Sequence, residues 1–110
     1  MPHLSGRPLG ALGEAVALAF LLRRGATVIA RNVRVGRGEI DLLVRIDGIV
    51  VAVEVKARYG ADPLVQITEE KERRMLDAAR RVRPRPARID VLSVEFGATG
   101  ATVRWIRGLS

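Results

Sequence analysis

The chain has 110 residues, enough for one hydrophobic core and too few for two, so any active site is expected to be built from that core or shared across a homodimer. Its 48% hydrophobic and 28% charged residues argue against disorder and against a membrane protein. The lack of Cys excludes disulfides, thiolate zinc sites and a cysteine nucleophile and fits a cytoplasmic protein, while a net charge of +7 points to a polyanionic partner, nucleic acid first.

Residues 1–8 are expected to be flexible, and they contain the lone His3. With neither His nor Cys at hand, a metal would have to be held by oxygen ligands, which favours hard cations such as Mg²⁺. The apolar run from Leu9 to Leu22 has some character of a signal peptide, but Glu14 interrupts it, Arg23-Arg24 follows it, and no small-residue cleavage site leads out of it. It is too short to span a bilayer. We read it as a helix ended by Gly25, apolar nearly all round and therefore covered on more than one side. Thr27 to Arg34 reads as a strand, and Gly36-Arg37-Gly38 as the turn that follows.

The next segment is the most informative. Glu39 to Ile46 and Ile49 to Ala57 are β-rich runs joined by Asp47-Gly48, a strong signal for a two-residue hairpin turn. That turn sets Ile46 opposite Ile49, and hence Val44 opposite Val51, Leu42 opposite Val53 and Ile40 opposite Val55 on one apolar face. The other face then sets Asp41 against Glu54 and Glu39 against Lys56. Two carboxylates directly opposite each other, with Cβ atoms about 5 Å apart, repel unless a cation or a shared proton relieves them. The plainer reading is a surface pair, Glu39 with Lys56, beside two solvated acids. Leu43 and Ala52 on the same face count against full solvation.

A helix is expected from Thr68 to Val82, with Thr68 as N-cap and Glu69 and Glu70 in the first turn. Met75, Ala79 and Val82 form its buried stripe, Lys71 lies at the edge, and Arg73, Arg74, Asp77, Arg80 and Arg81 lie outside. Lys56 and Lys71 stand out because every other basic residue is Arg; each suits a place that wants a compact ammonium in preference to a planar fork. A stem that covers apolar surface while the head reaches water explains Lys71 equally well. Arg88 to Phe96 and Ala101 to Arg107 read as two strands around the turn Gly97 to Gly100.

Glu14 in the first helix, Gly38-Glu39-Ile40-Asp41-Leu42, Val53-Glu54-Val55-Lys56 and the helical Lys71 together resemble the YraN-like family of PD-(D/E)XK nuclease-fold proteins, and more distantly archaeal Holliday-junction resolvases. The resemblance runs from Gly10 to Met75, includes Asn32, and has a weaker echo in Arg88-Ile89-Asp90-Val91. Ile40 stands where the wider superfamily has the Pro of its name, and the chain after Ala79 matches poorly. The resemblance implies an α/β, restriction-endonuclease-like core, a central mixed sheet flanked by helices whose β-hairpin carries the acidic site. It implies Asp41 and Glu54 as ligands of Mg²⁺ or Mn²⁺, the Val55 carbonyl completing the coordination, Glu14 as a further ligand, and Lys56 beside the attacking water. Glu39 and Lys71 would support the site. The plainer reading of Glu14 is an acid in the N-terminal turn interacting with the helix dipole.

Such residues fit metal-assisted hydrolysis of phosphodiester bonds, with DNA, linear or branched, as the expected substrate. Arg58, Arg74, Arg80, Arg81 and Arg83 are candidate phosphate contacts, which give affinity without sequence preference. With one Trp, one Tyr and two Phe, base stacking is a poor main mode of binding. Two alternatives stand beside the enzyme: a non-catalytic nucleic-acid-binding module of the same fold, and an assembly protein that dimerises through the hairpin or the apolar first helix.

Overall fold

A computed structural model describes residues 7–60 and 69–108. Two helices and five strands follow the chain as α1 (Arg7–Arg23), β1 (Thr27–Val35), β2 (Gly38–Ile46), β3 (Ile49–Tyr59), α2 (Glu69–Arg81), β4 (Arg88–Gly97) and β5 (Gly100–Ile106). The strands form one mixed sheet in chain order, with β3 and β4 parallel and every other pair antiparallel. Only the parallel pair needs a crossover, and α2 lies within it. The expected Thr68 cap and residues 1–6, with His3, lie outside the described residues.

Local sequence explains the connections. Asp47 and Gly48 both have positive φ, +53° and +78°, the conformation of a type I′ turn, whose twist matches that of the flanking strands. The register this turn was expected to set holds from Ile46↔Ile49 to Leu42↔Val53. Helix α1 ends in a Schellman motif on Gly25: Ala26 N–H donates to the Leu21 carbonyl at 3.0 Å and Gly25 N–H to that of Leu22 at 3.1 Å.

Each face of the sheet has its own core. On one side Ala17 and Leu21 of α1 pack on Leu42, Val44, Val51, Val53, Leu92 and Val94. On the other, Met75, Ala78, Ala79 and Val82, from α2 and the residue after it, pack on Ile40, Leu43, Ala52 and Ile89. Two expectations are corrected here. Helix α1 is covered on one side only: Gly13, Ala17 and Leu21 are buried, while Leu12 and Leu22 are 43% and 50% exposed. Its apolar outer face was read as buried because alanines give a helix low polarity whether or not anything packs on them. Ile40, expected beside Leu42, lies on the opposite face with Leu43. The β1–β2 ladder shifts register between Val28 and Ala30, and farther along runs Arg31↔Leu42 and then Val33↔Ile40 with no pair between Asn32 and Asp41. Asn32 is left-handed, with φ of +51°. A single left-handed residue breaks the alternation of the strand, and Asn tolerates it better than most. No helix among the described residues is long and apolar enough to cross a membrane.

Candidate metal centre

The break at Asn32 and Asp41 is where the candidate site forms. The β2–β3 ladder stops at Leu42↔Val53, although continuing it would have set Asp41 against Glu54. In place of the next backbone contact, Asp41 Oδ2 accepts a hydrogen bond from the Val55 N–H at 2.8 Å. The carboxylate thus substitutes for a strand carbonyl and wedges the two strands apart. Beyond it β3 keeps its parallel partner, with Glu54↔Val91 to Tyr59↔Phe96. The wedge opens a groove of roughly 500 Å³ lined by Glu39, Asp41 and Glu54, by Arg37 and Gly38 of the β1–β2 turn and strand, and by Glu70, Arg74 and Met75 of α2.

Glu54 is 5% exposed. Lys56, two residues along the same strand, holds its Nζ 3.3 Å from Glu54 Oε1. Burial, together with the charge of Glu54, pushes the Asp41 carboxyl up to about 7, against the lowering effect of the Val55 hydrogen bond. The pair is therefore poised to take up a proton or a cation.

Glu39 does not meet Lys56 as expected. It pairs with Arg34 across the β1–β2 ladder, at 3.6 Å, because the wedge separates β2 from β3 at that level. Glu14 approaches from the α1 side and lines a separate depression with Arg31, Asn32 and Leu42. Helix α1 comes close there because Gly13 lacks a side chain, and a Cβ on it would stand 2.5 Å from that of Ala57. The Glu14 carboxyl is raised by burial and then by the charges of Glu39 and Glu54, which places it within their electrostatic reach. Among the described residues no three His, Cys, Asp or Glu side chains form a preassembled cluster able to hold a metal. Glu14, Asp41 and Glu54 are thus neighbours without converging. Lys71 lies in α2, and its side chain is outside what the structure describes.

The donors fit a hard divalent cation held by few protein ligands. They are carboxylate and backbone oxygens, and Mg²⁺ commonly takes one or two carboxylates and keeps several waters. A positive charge between Asp41 and Glu54 would also relieve the repulsion that raises Asp41.

The candidate arginines separate. Arg74 lines the acidic groove, and Arg81 lines its continuation along α2 with Arg73 and Asp77. Arg80 opens onto another depression, with Arg85 and Arg88. Arg83 donates to the Arg80 and Val82 carbonyls at 3.2 and 3.0 Å, tying off the end of the helix. Arg58 is held 3.0 Å from Glu95 of β4. Sequence reading missed Arg37, whose one signal was its place between two glycines.

A model of a family described as uncharacterised protein family UPF0102 matches residues 13–94, a stretch that runs from α1 through the groove to β4. Among similar proteins, a UPF0102 protein of Symbiobacterium thermophilum is 41% identical over 103 residues, covering 86% of this chain and 87% of the relative. One from Dictyoglomus turgidum is 32% identical over 111 residues, with 93% and 94% covered. One from Thermus thermophilus is 48% identical over 75 residues, with 64% and 66% covered.

Proposed function

The chain belongs to the uncharacterised protein family UPF0102, and we propose that it is a metal-dependent nuclease with a restriction-endonuclease-like core that hydrolyses phosphodiester bonds in DNA. The observation that carries this reading is the wedge: a strand pair opened by a half-buried carboxylate, with a second, buried carboxylate and a lysine ammonium beside it. Burying like charges is costly and is tolerated where the charges are used.

In this reading Asp41 and Glu54 would hold Mg²⁺ or Mn²⁺, with the Val55 carbonyl as a further oxygen donor and Glu14 as a further ligand, directly or through water. The bound ion supplies Lewis-acid charge and lowers the pKa of water. Lys56, fixed by Glu54, orients the attacking water or offsets the charge that builds on the phosphate. Asp41 keeps its orientation through the Val55 N–H, so its other oxygen faces the groove. Glu39 shapes the groove wall, and the side chain of Lys71 is assigned a supporting place by the resemblance alone.

Purified protein given Mg²⁺ or Mn²⁺ and a panel of linear, flapped and four-way-junction DNA should cut at least one of them. Asp41→Asn and Lys56→Ala should each lower the rate by about a hundredfold or more, the scale of losing a group that stabilises the transition state. Cutting by Asp41→Asn at the parent rate would remove the enzyme reading. The alternative is a non-catalytic DNA-binding module of the same fold, for which the net charge of +7 is enough to draw a polyanion. Such a module would bind with the same salt dependence in EDTA as in Mg²⁺ and cut nothing on the panel.

A further inference from the structure

The β1–β2 turn is pressed against α2 on both sides of Arg37. A Cβ on Gly38 would run into the Arg74 carbonyl and stand 2.9 Å from the Ala78 Cβ. One on Gly36, whose φ is +61°, would stand 3.2 Å from a guanidinium nitrogen of Arg81. Glycine alone allows this approach, and it fixes the exposed Arg37 where two grooves meet. The acidic groove lies on one side. On the other, a second groove of roughly 470 Å³ continues along α2 past Arg73, Arg74, Asp77 and Arg81. Arg37, Glu70 and Arg74 line both.

We propose that Arg37, Arg73, Arg74 and Arg81 form one phosphate track, along which a strand of duplex DNA leaves the acidic centre, with Arg37 holding the phosphate nearest Asp41 and Glu54. The track rests on the nuclease reading for its end point and on its own geometry for its course. An acidic pair repels a polyanion, so a cationic rim must bring the phosphate to it. Arg74 and Arg81 are now paired with Glu70 and Asp77 one helical turn away, at 2.6 and 3.4 Å. Exposed pairs of this kind are weak, and a guanidinium fork fits phosphate as well as carboxylate. Arg74 and Arg81 lie roughly 10 Å apart along the helix at 1.5 Å per residue, far enough to meet separate phosphates of one strand.

Arg104 provides the control, because it carries the same charge and lies exposed on β5, an edge strand away from both grooves. Binding of a short labelled duplex to the full chain in EDTA is measured against salt, where each phosphate contact contributes about 0.9 to the slope of log K on log salt. Arg37→Ala and Arg81→Ala should each lower the slope by about one and weaken every sequence alike. Arg37→Lys should keep the slope, and Arg104→Ala should leave the slope at the parent value. An equal loss in Arg104→Ala and Arg81→Ala would mean that net charge alone drives binding, and the track would be wrong. If the parent cuts DNA while Arg37→Ala and Arg81→Ala bind with the parent slope, the track falls and the nuclease reading stands. Absence of any salt-dependent binding by the parent overturns both.

Discussion

Asp41 does two things that pull against each other. Its Oδ2 replaces a strand carbonyl for Val55, which any hydrogen-bond acceptor could do, while its carboxyl sits half-buried beside Glu54, where charge is costly. The folded chain holds the Asp41 proton up to about pH 7, whereas the unfolded chain releases it near the ordinary 3.8. The native state therefore binds more protons in that window, and the metal-free protein should lose stability as pH rises through it. Asp41→Asn should flatten this dependence and raise the melting temperature above about pH 7, because Asn still accepts from Val55 N–H without the charge. It should also remove the stabilisation that Mg²⁺ gives the parent. Melting curves across pH, with and without Mg²⁺, check all three, and a variant as pH-sensitive as the parent would show that Asp41 does not hold the shared proton. Glu54→Gln is a less clean probe, since it also breaks the ion pair with Lys56.

At the scale of elements, glycines set how closely neighbours approach the site. Gly13 lets α1 settle on Ala57, and Gly38 lets β2 settle on the backbone of α2. Gly38→Ala must push β2 and α2 apart, at a cost of about 1–3 kcal/mol for overpacking. It should weaken both the Mg²⁺ response and DNA binding, since Arg37 and Asp41 lie on either side of it. Gly10 faces open space, so Gly10→Ala should instead stabilise α1 by up to about 1 kcal/mol and leave binding unchanged. Urea midpoints and duplex affinity for the two variants make the comparison, and equal behaviour of the two would show that close packing at Gly38 does not position the groove.

For the molecule as a whole, the far edge of the sheet is secured by Asp90, which is fully buried. Its carboxylate accepts from Arg88 Nε at 2.8 Å and a terminal Arg88 nitrogen at 3.0 Å, from Trp105 Nε1 at 2.9 Å and from the Gly108 N–H at 2.9 Å. One side chain thereby joins β4, β5 and the segment after β5, and Trp105 meets Phe20 of α1 edge to face with ring centroids 6.0 Å apart. Asp90→Ala leaves the Arg88 and Trp105 donors facing a buried gap and should cost about 3 kcal/mol, the scale of breaking a buried ion pair. A denaturation midpoint close to that of the parent would show that the carboxylate contributes little.

Much of the fold was legible because it is dictated by local chemistry. Asp-Gly takes the positive φ values of a type I′ turn, Gly25 ends α1, and alternation marks the strands, so the elements and the Leu42↔Val53 register follow from short stretches of sequence. The same turn led to the expectation of Asp41 near Glu54, and the ladder stops one pair short of them, where Asp41 bonds to the Val55 N–H instead. Local pattern does not carry what depends on two distant segments at once. The departure of Ile40 from Leu42's face, the meeting of Glu39 with Arg34 in place of Lys56, and the exposure of Leu12 and Leu22 all arise where one element meets another. Asn32 bends β1 and Asp41 opens β2 from β3, and neither residue announces this in its own neighbourhood. The sequence by itself determined which elements form and the hairpin register from Ile46↔Ile49 to Leu42↔Val53. Only the tertiary structure decided that the hairpin splits at Asp41 and that Arg37 sits against α2, because both rest on close approaches between segments that the chain order leaves apart.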